Sequence, residues 1–492
     1  MKEFRITSSH NLTWGNMHTN SSRDVKSPSL RSNFIWNSSY QVVRMLTPII
    51  TTPYLARVLG SDALGTYSYT YTVATYFTYF CLLGLGQYGN REVAKARDDK
   101  ATLSEVFSSI LVMQLVVGSI VVLLYFGYCF FISGSLLIFS LIWLIWVLAE
   151  TVDISWLFYG LEEFKTITIR NVVIRVFLIV GIFAFVKSSE DLGVYCFLQA
   201  STFVANSAIL WGLVWRRVKF RKPTLRRVLE HVKPNFVLFL PVIAISVYTQ
   251  LNAIILGNIC GMTSVAYYDN AYKIISISLT VIQSLGTVML PRMSALVASG
   301  DDAEVERHLD VSILVSQVIA YCFMFGIIGI STVFVPVFFG AGYDACAPLM
   351  CIFAFMVPLC GWSNVLGVQF LIPFGKDVAY LKSVVYGALS NVILCVPLTL
   401  SFGVYGAAVA SLIAELTVTL VQAYYARGQL QVLNYFKKGI PFLCFGLIEL
   451  FSVRAVCIAF DGEFIGLTAG IFVGGLVYLA MSYLWLKKYQ LI

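Results

Sequence analysis

The sequence predicts an all-α polytopic membrane protein of about fourteen transmembrane helices, with two six-helix parallel repeats around a central cavity and two extra C-terminal helices. Three observations carry that prediction: scarce charge, recurring apolar runs, and a one-sided distribution of lysine and arginine. Only 12% of the 492 residues are charged and 58% are hydrophobic. A soluble chain carries about 25% charged residues, and the mean hydropathy here is +0.80. The apolar runs are continuous rather than alternating, which excludes a transmembrane β-barrel.

Taken in order, residues 1–33 are polar and Ser/Asn-rich, without the apolar core of a signal peptide, and read as a disordered cytoplasmic tail. Residues 34–215 form the N-terminal half, with spans at 34–57, 63–89, 104–131, 135–159, 167–187 and 191–215. Residues 216–234 are a basic cytoplasmic linker. Residues 235–425 form the second half, with spans at 235–257, 263–291, 310–333, 346–373, 378–400 and 403–425. Two additional helices, 439–460 and 464–486, have no counterpart and complete the chain.

With both termini cytoplasmic, 28 of the 34 basic residues fall in the tails, the inner loops and the span ends that border them, and only Arg57 and Lys187 fall at outer span ends. The net charge of +8 is therefore topological, and no nucleic-acid partner is expected. The linker reads as an anchor on anionic lipid, with headgroup docking as the alternative.

An internal duplication supports the two halves. At a shift of 201 residues, Gly60 falls on Gly261, Tyr67 on Tyr268, Tyr71 on Tyr272 and Arg91 on Arg292. At a shift of 210, Gly193-Val194-Tyr195 falls on Gly403-Val404-Tyr405. Six spans separate each pair, so both copies enter the membrane in the same orientation.

Some chemistries are disfavoured at once. The eleven cysteines are scattered singly, and His10, His18, His231 and His308 all lie outside the spans, so no metal site or cofactor is expected. No GxxxxGK[ST] occurs, and the outer loops are too short for a catalytic domain. The chain is read as a non-enzyme.

The candidate site begins in the first span, where RMLTPIITTPYLARVLG runs from Arg44 to Gly60. Pro48 and Pro53 are expected to let this helix bend, with the threonines bonding the carbonyls that proline frees. Arg44 in the first span and Lys273 in the eighth each lie about 15 Å deep, counting 1.5 Å per residue. Both could face an inter-half cavity as substrate-binding cations. Equally, Lys273 could pair with Asp269 one turn away, and Arg44 with an acid elsewhere. Glu150, Asp153 and Arg175 read either as a buried ion network or as a titratable centre for a coupling ion, H+ or Na+. Glu415 is a second coupling candidate, and Glu449 with Arg454 reads as a structural pair or a lipid contact. Tyr67 and Tyr71 suit an interfacial aromatic belt, or a wall that stacks on sugar rings.

The stretch TPIITTPYLARVLGSDALGTYSY, followed by LLGLGQYGNREVAKAR, resembles the opening of the polysaccharide-biosynthesis (Wzx-type) flippases. These belong to the multidrug/oligosaccharidyl-lipid/polysaccharide exporter superfamily. WLFYGLEEFK (156–165), NAYKI (270–274), LPRMSAL (290–296) and LIPFGK (371–376) agree with the resemblance. It implies a carrier that moves an undecaprenyl-pyrophosphate-linked oligosaccharide, of O-antigen, capsule or exopolysaccharide type, across the bacterial plasma (inner) membrane. Ion-coupled alternating access, and a glycan polymerase and chain-length regulator as partners, are also implied. Arg44 and Lys273 would then meet pyrophosphate or acidic sugars. A cation/drug antiporter of the same superfamily is the alternative, kept open by Asp153, Asp269 and Glu415.

Overall fold

A computed structural model describes residues 30–132, 134–460 and 464–488, so most of the predicted tail, with His10 and His18, lies outside the described residues. Among the described residues every element is helical. The first half comprises α1 (Leu30–Leu82), α2 (Leu85–Ala96), α3 (Lys100–Phe130), α4 (Ser135–Thr151), α5 (Ser155–Gly160), α6 (Phe164–Phe185) and α7 (Leu192–Val214). The second comprises α8 (Leu225–Cys260), α9 (Met262–Ser299), α10 (Asp302–Phe338), α11 (Cys346–Ala354), α12 (Met356–Ser363) and α13 (Asp377–Ala426). A π-helical stretch, Asn364–Leu371, extends α12. The appended pair is α14 (Val432–Ala459) and α15 (Phe464–Lys488).

Eleven described helical segments are long and apolar enough to cross a membrane, which makes this a multi-pass membrane protein. Two continuous helices conceal a reversal. α13 turns at Gly403 (φ 58°) and α1 at Gly60 (φ 78°), positive-φ conformations that glycine adopts without Cβ strain. Cutting α13 there makes twelve segments, and the two parts of α1 bring the number to fourteen, compatible with the spans read from the sequence. Gly261, which joins α8 to α9, has φ 82° and ψ 171° against 78° and 174° at Gly60. The two glycines that the repeat aligns therefore make the same turn.

α1 packs on α4 and α6 within its own half and on α9 across the middle; α13 packs on α8. The appended α14 and α15 lie against each other and against α10. Near their glycine turns α1 and α9 approach closely, because a Cβ on Gly65 would stand 1.7 Å from the Met262 carbonyl oxygen. Asp99 caps α3, accepting from the amides of Ala101 (3.1 Å) and Thr102 (3.0 Å). The Thr102 hydroxyl bond, foremost, holds that carboxyl below its ordinary range.

α1 keeps helical backbone through Pro48 and Pro53, and its one non-helical residue is Gly60. The threonines do not take up the carbonyls that proline frees, those of Arg44 and Ile49. Instead Thr47 and Thr51 donate to the carbonyls of Val43 (2.8 Å) and Thr47 (3.0 Å). Each side chain bonds the turn directly beneath it, four residues back, and no proline lies at that spacing.

The fourth span is broken between α4 and α5, and lipid offers no donors for the carbonyls left there. Side chains supply them together with the backbone amides of Val152 and Asp153, which reach the Ala149 and Glu150 carbonyls. Ser207 donates to Ala149 (3.1 Å), Trp211 to Val152 (2.7 Å), and the Gln114 amide to both Glu150 (3.2 Å) and Asp153 (2.8 Å). Gln114 is itself held by a bond from Trp156 at 3.0 Å. Replacing Gln114 with Leu should cost about 1–3 kcal/mol for each polar group left unsatisfied. A thermal unfolding midpoint equal to the wild type would refute this account of the break.

Candidate functional site

Lys273 projects from α9 into a cavity of about 360 Å³ between the two halves. Its ammonium lies 2.7 Å from Asp269 Oδ2, one turn earlier on the same helix. Ser68 on α1 donates to that same oxygen at 2.6 Å. Ser68 and Asp269 are 201 residues apart, as are Asp62 and Thr263, whose side chains meet at 3.4 Å. Positions aligned by the repeat therefore touch each other, as they must on the pseudo-two-fold axis between the copies.

Pro48, Tyr67 and Tyr71 from α1, Arg175 from α6, and Asp269 from α9 line the cavity with Lys273. The tyrosines stack on each other with ring centres 5.7 Å apart, and Tyr71 stacks on Trp146 at 4.9 Å. They are thus part of a packed aromatic wall inside the first half, not an interfacial belt. On the other side Tyr268 and Tyr272 stack at 6.5 Å. Tyr268 is fixed by Ser411 (2.7 Å) and by an amide bond from Asn252 (2.9 Å).

Arg44 is exposed and lines an adjoining cleft of about 230 Å³ that shares Pro48 and Lys273 with the central cavity. Its walls come from α1 and α9 alone. Among the described residues Arg44 forms no salt bridge, so the two cations share a corner of open space between the halves. Pro53 faces elsewhere, into an apolar cleft against α10 and α15. Arg57 donates to the Val337 carbonyl at 2.6 Å and ties α1 to α10.

Arg175 does not join Glu150 and Asp153; Arg170 takes that place. Arg170 is 8% exposed and donates to Ser155 Oγ (3.3 Å), the Asn206 carbonyl (3.2 Å) and Asn171 Oδ1 (2.8 Å). Ser155 in turn donates to Asp153 at 2.7 Å, and Glu150 accepts from Trp146 at 3.0 Å. Sequence counting set Arg170 at the very start of the fifth span and gave it no role, whereas it lies a turn and a half inside α6. The signal was available: Ile167 and Ile174, at helical spacing on either side, are both buried.

Glu415 is 6% exposed and lines a second cavity of about 490 Å³ that shares Tyr268 and Tyr272 with the first. Glu449 is buried too, but it accepts from the Cys322 thiol at 3.6 Å and not from Arg454, which is exposed. The basic linker is fastened to the first half. Arg217 pairs with Glu163 and Arg227 with Glu105, while Ser104 and Ser108 accept from the Lys219 and Arg221 amides.

The polysaccharide biosynthesis protein family is matched over residues 30–297, and the lipid II flippase MurJ family over residues 204–485. An Escherichia coli (strain K12) protein named for O-antigen transport is 26% identical over 81% of this chain and 97% of its own length. A Haloferax volcanii protein named for a flippase role in low-salt glycan biosynthesis is 22% identical, over 88% of this chain and 91% of its own. A solved structure of the lipid II flippase MurJ in an inward closed conformation shares the fold. Its TM-score is 0.69 at 17% identity, over 93% of this chain and 99% of that one.

Asp269 serves both Lys273 and Ser68, so Asp269→Ala should lower stability more than Lys273→Ala does. The double variant should recover part of the loss. The coupling should be on the order of 1 kcal/mol or less, because solvent reaches both members of the pair. A double-mutant cycle on the unfolding midpoints measures it, and strict additivity would remove the pair from the argument.

Proposed function

The chain belongs to the polysaccharide biosynthesis protein family, and from that premise we propose that it carries a pyrophosphate-linked lipid oligosaccharide across the membrane. The observation that carries the reading is the corner where Arg44 and Lys273 share open space between α1 and α9. Guanidinium and ammonium groups attract phosphate oxygens through charge-assisted hydrogen bonds. The tail of a lipid-linked ligand cannot leave the bilayer, so its headgroup needs a lateral route. A cleft walled by α1 and α9 alone supplies one.

In a bacterial plasma membrane with both termini cytoplasmic, the Gly60 and Gly261 turns lie at the outer face. The Ser68–Asp269 and Asp62–Thr263 contacts then close the outer end, and residues 34–215 and 235–425 rock about them as two units. The isoprenoid is undecaprenol and the glycan is of O-antigen, capsule or exopolysaccharide type. A glycan polymerase and chain-length regulator would use the product outside. Coupling to a proton or sodium gradient is assigned to Glu150 and Asp153 beside the α4–α5 break, where Arg170 reaches Asp153 through Ser155 and Glu150 has no cationic partner among the described residues. The cation/drug antiporter alternative fits less well, since Arg175 and Lys273 outnumber Asp269 in the central cavity.

Neutralising Arg44 or Lys273 should slow translocation at least about tenfold, the equivalent of one charge-assisted hydrogen bond. Normal flipping of undecaprenyl-pyrophosphate-linked glycan in proteoliposomes by the Arg44→Ala/Lys273→Ala variant would sink the reading. The Glu150→Gln/Asp153→Asn variant should still exchange substrate across the bilayer but lose its response to an imposed ion gradient. A wild-type gradient response by that variant moves coupling elsewhere, with Glu415 as the next site to test.

A further inference from the structure

We propose that the second cavity reads the glycan, taking a hydroxyl-rich, uncharged sugar and rejecting an acidic one. The inference rests on the proposed function for the lipid pyrophosphate and goes beyond it in naming a separate sugar site. The cavity holds about 490 Å³, within the range of small-molecule sites, about 300–1,000 Å³. It lies between α9, the segment Cys346–Leu371 and α13. Tyr268 and Tyr272 belong to the walls of both cavities, and Lys273 follows Tyr272 directly. A ligand with its phosphate at Lys273 therefore has its first sugar beside Tyr272, at the mouth of the second cavity.

The two cavities differ in charge. Among the described residues that line the second one, Glu415 is the only charged side chain. A phosphate or a uronic acid placed there would be stripped of water beside the Glu415 carboxyl, with no cation in the walls to offset its charge. Sugar hydroxyls would find an acceptor in Glu415 and donors in amides and hydroxyls around it. Tyrosine and aliphatic walls suit the apolar faces of the rings.

Asn364 has the clearest marks of a built position. It opens the π-helical stretch Asn364–Leu371, and π turns recur at functional sites. Gln369, fully buried, donates its amide to Asn364 Oδ1 at 3.1 Å, which orients the Asn364 side chain. Across from it, a Cβ on Gly286 would stand 2.5 Å from Asn364 Nδ2, so the close approach depends on glycine there. Gln283, one turn before Gly286 on α9, is exposed and lines the same cavity. Asn364 and Gln283 thus present amides from two helices to one space that also holds Glu415.

The test compares three lipids on the purified full-length protein in nanodiscs, with affinities from native mass spectrometry. They are undecaprenyl pyrophosphate, the same lipid carrying an N-acetylhexosamine, and the same lipid carrying a uronic acid. The wild type should bind the neutral glycolipid about tenfold more tightly than the bare pyrophosphate, the size of one good polar contact, and the uronic acid form no better than the bare one. Gln283→Ala, an exposed position that should fold normally, and Asn364→Ala should each abolish the preference and leave bare-lipid affinity unchanged. Lys273→Ala should weaken all three lipids alike.

Equal wild-type affinity for bare and neutral lipids overturns the proposal, as does a preference that survives both substitutions. Tight uronic acid binding overturns its charge argument, and so does Glu415-dependent capture of tetraphenylphosphonium that ignores Asn364. A preference that requires Gln283 and Asn364, together with a Lys273→Ala protein that binds every lipid normally, supports the sugar site and overturns the phosphate assignment alone.

Discussion

Lipid supplies no hydrogen bonds, and that single constraint shapes the breaks and reversals within the described apolar helices. Two connections within continuous helices are reduced to a glycine at positive φ, Gly60 and Gly403, which reverse the chain with little irregular backbone. Where α4 gives way to α5, the exposed carbonyls are matched by Gln114, Ser207 and Trp211 from neighbouring spans. The polar groups recruited to satisfy the break also surround Glu150 and Asp153. An ionisable pair in lipid thereby acquires a setting that a plain apolar helix could not offer.

The same economy explains the contact between the halves. Residues aligned by an internal repeat can touch each other only near the axis that relates the copies, and Ser68–Asp269 and Asp62–Thr263 do so. Asp269 serves two partners there, one in each half: Ser68 on α1 and Lys273 on its own helix. The contact between the halves and the lysine of the cavity thus meet at a single carboxylate.

Much of the fold was legible in the residues because its determinants are local. Apolar length marks the spans, lysine and arginine mark the sides, and a shift of 201 residues marks the copies. The place of Arg44 and Lys273 along their helices also follows from counting residues. The pairing of Lys273 with Asp269 was one of the readings the spacing allowed, since residues four apart share a face. Ser68 could be found only by asking which positions the repeat places on its axis.

Depth along a helix and direction around it have different sources. Arg170 and Arg175 lie five residues apart on α6, about 140° around the helix at 100° per residue. One guanidinium turns into the first half beside Ser155, the other into the cavity between the halves. Hydropathy and charge counts are nearly blind to that rotation, which is set by how α6 packs on α1 and α7. For the same reason Glu449 meets Cys322 rather than Arg454, and Glu415 opens into a cavity separate from that of Lys273. The sequence by itself determined that this is a helical membrane protein with an internal repeat and with charges inside its apolar segments. Only the tertiary structure decided which of those charges share a space, because neighbouring helices choose the face that each side chain presents.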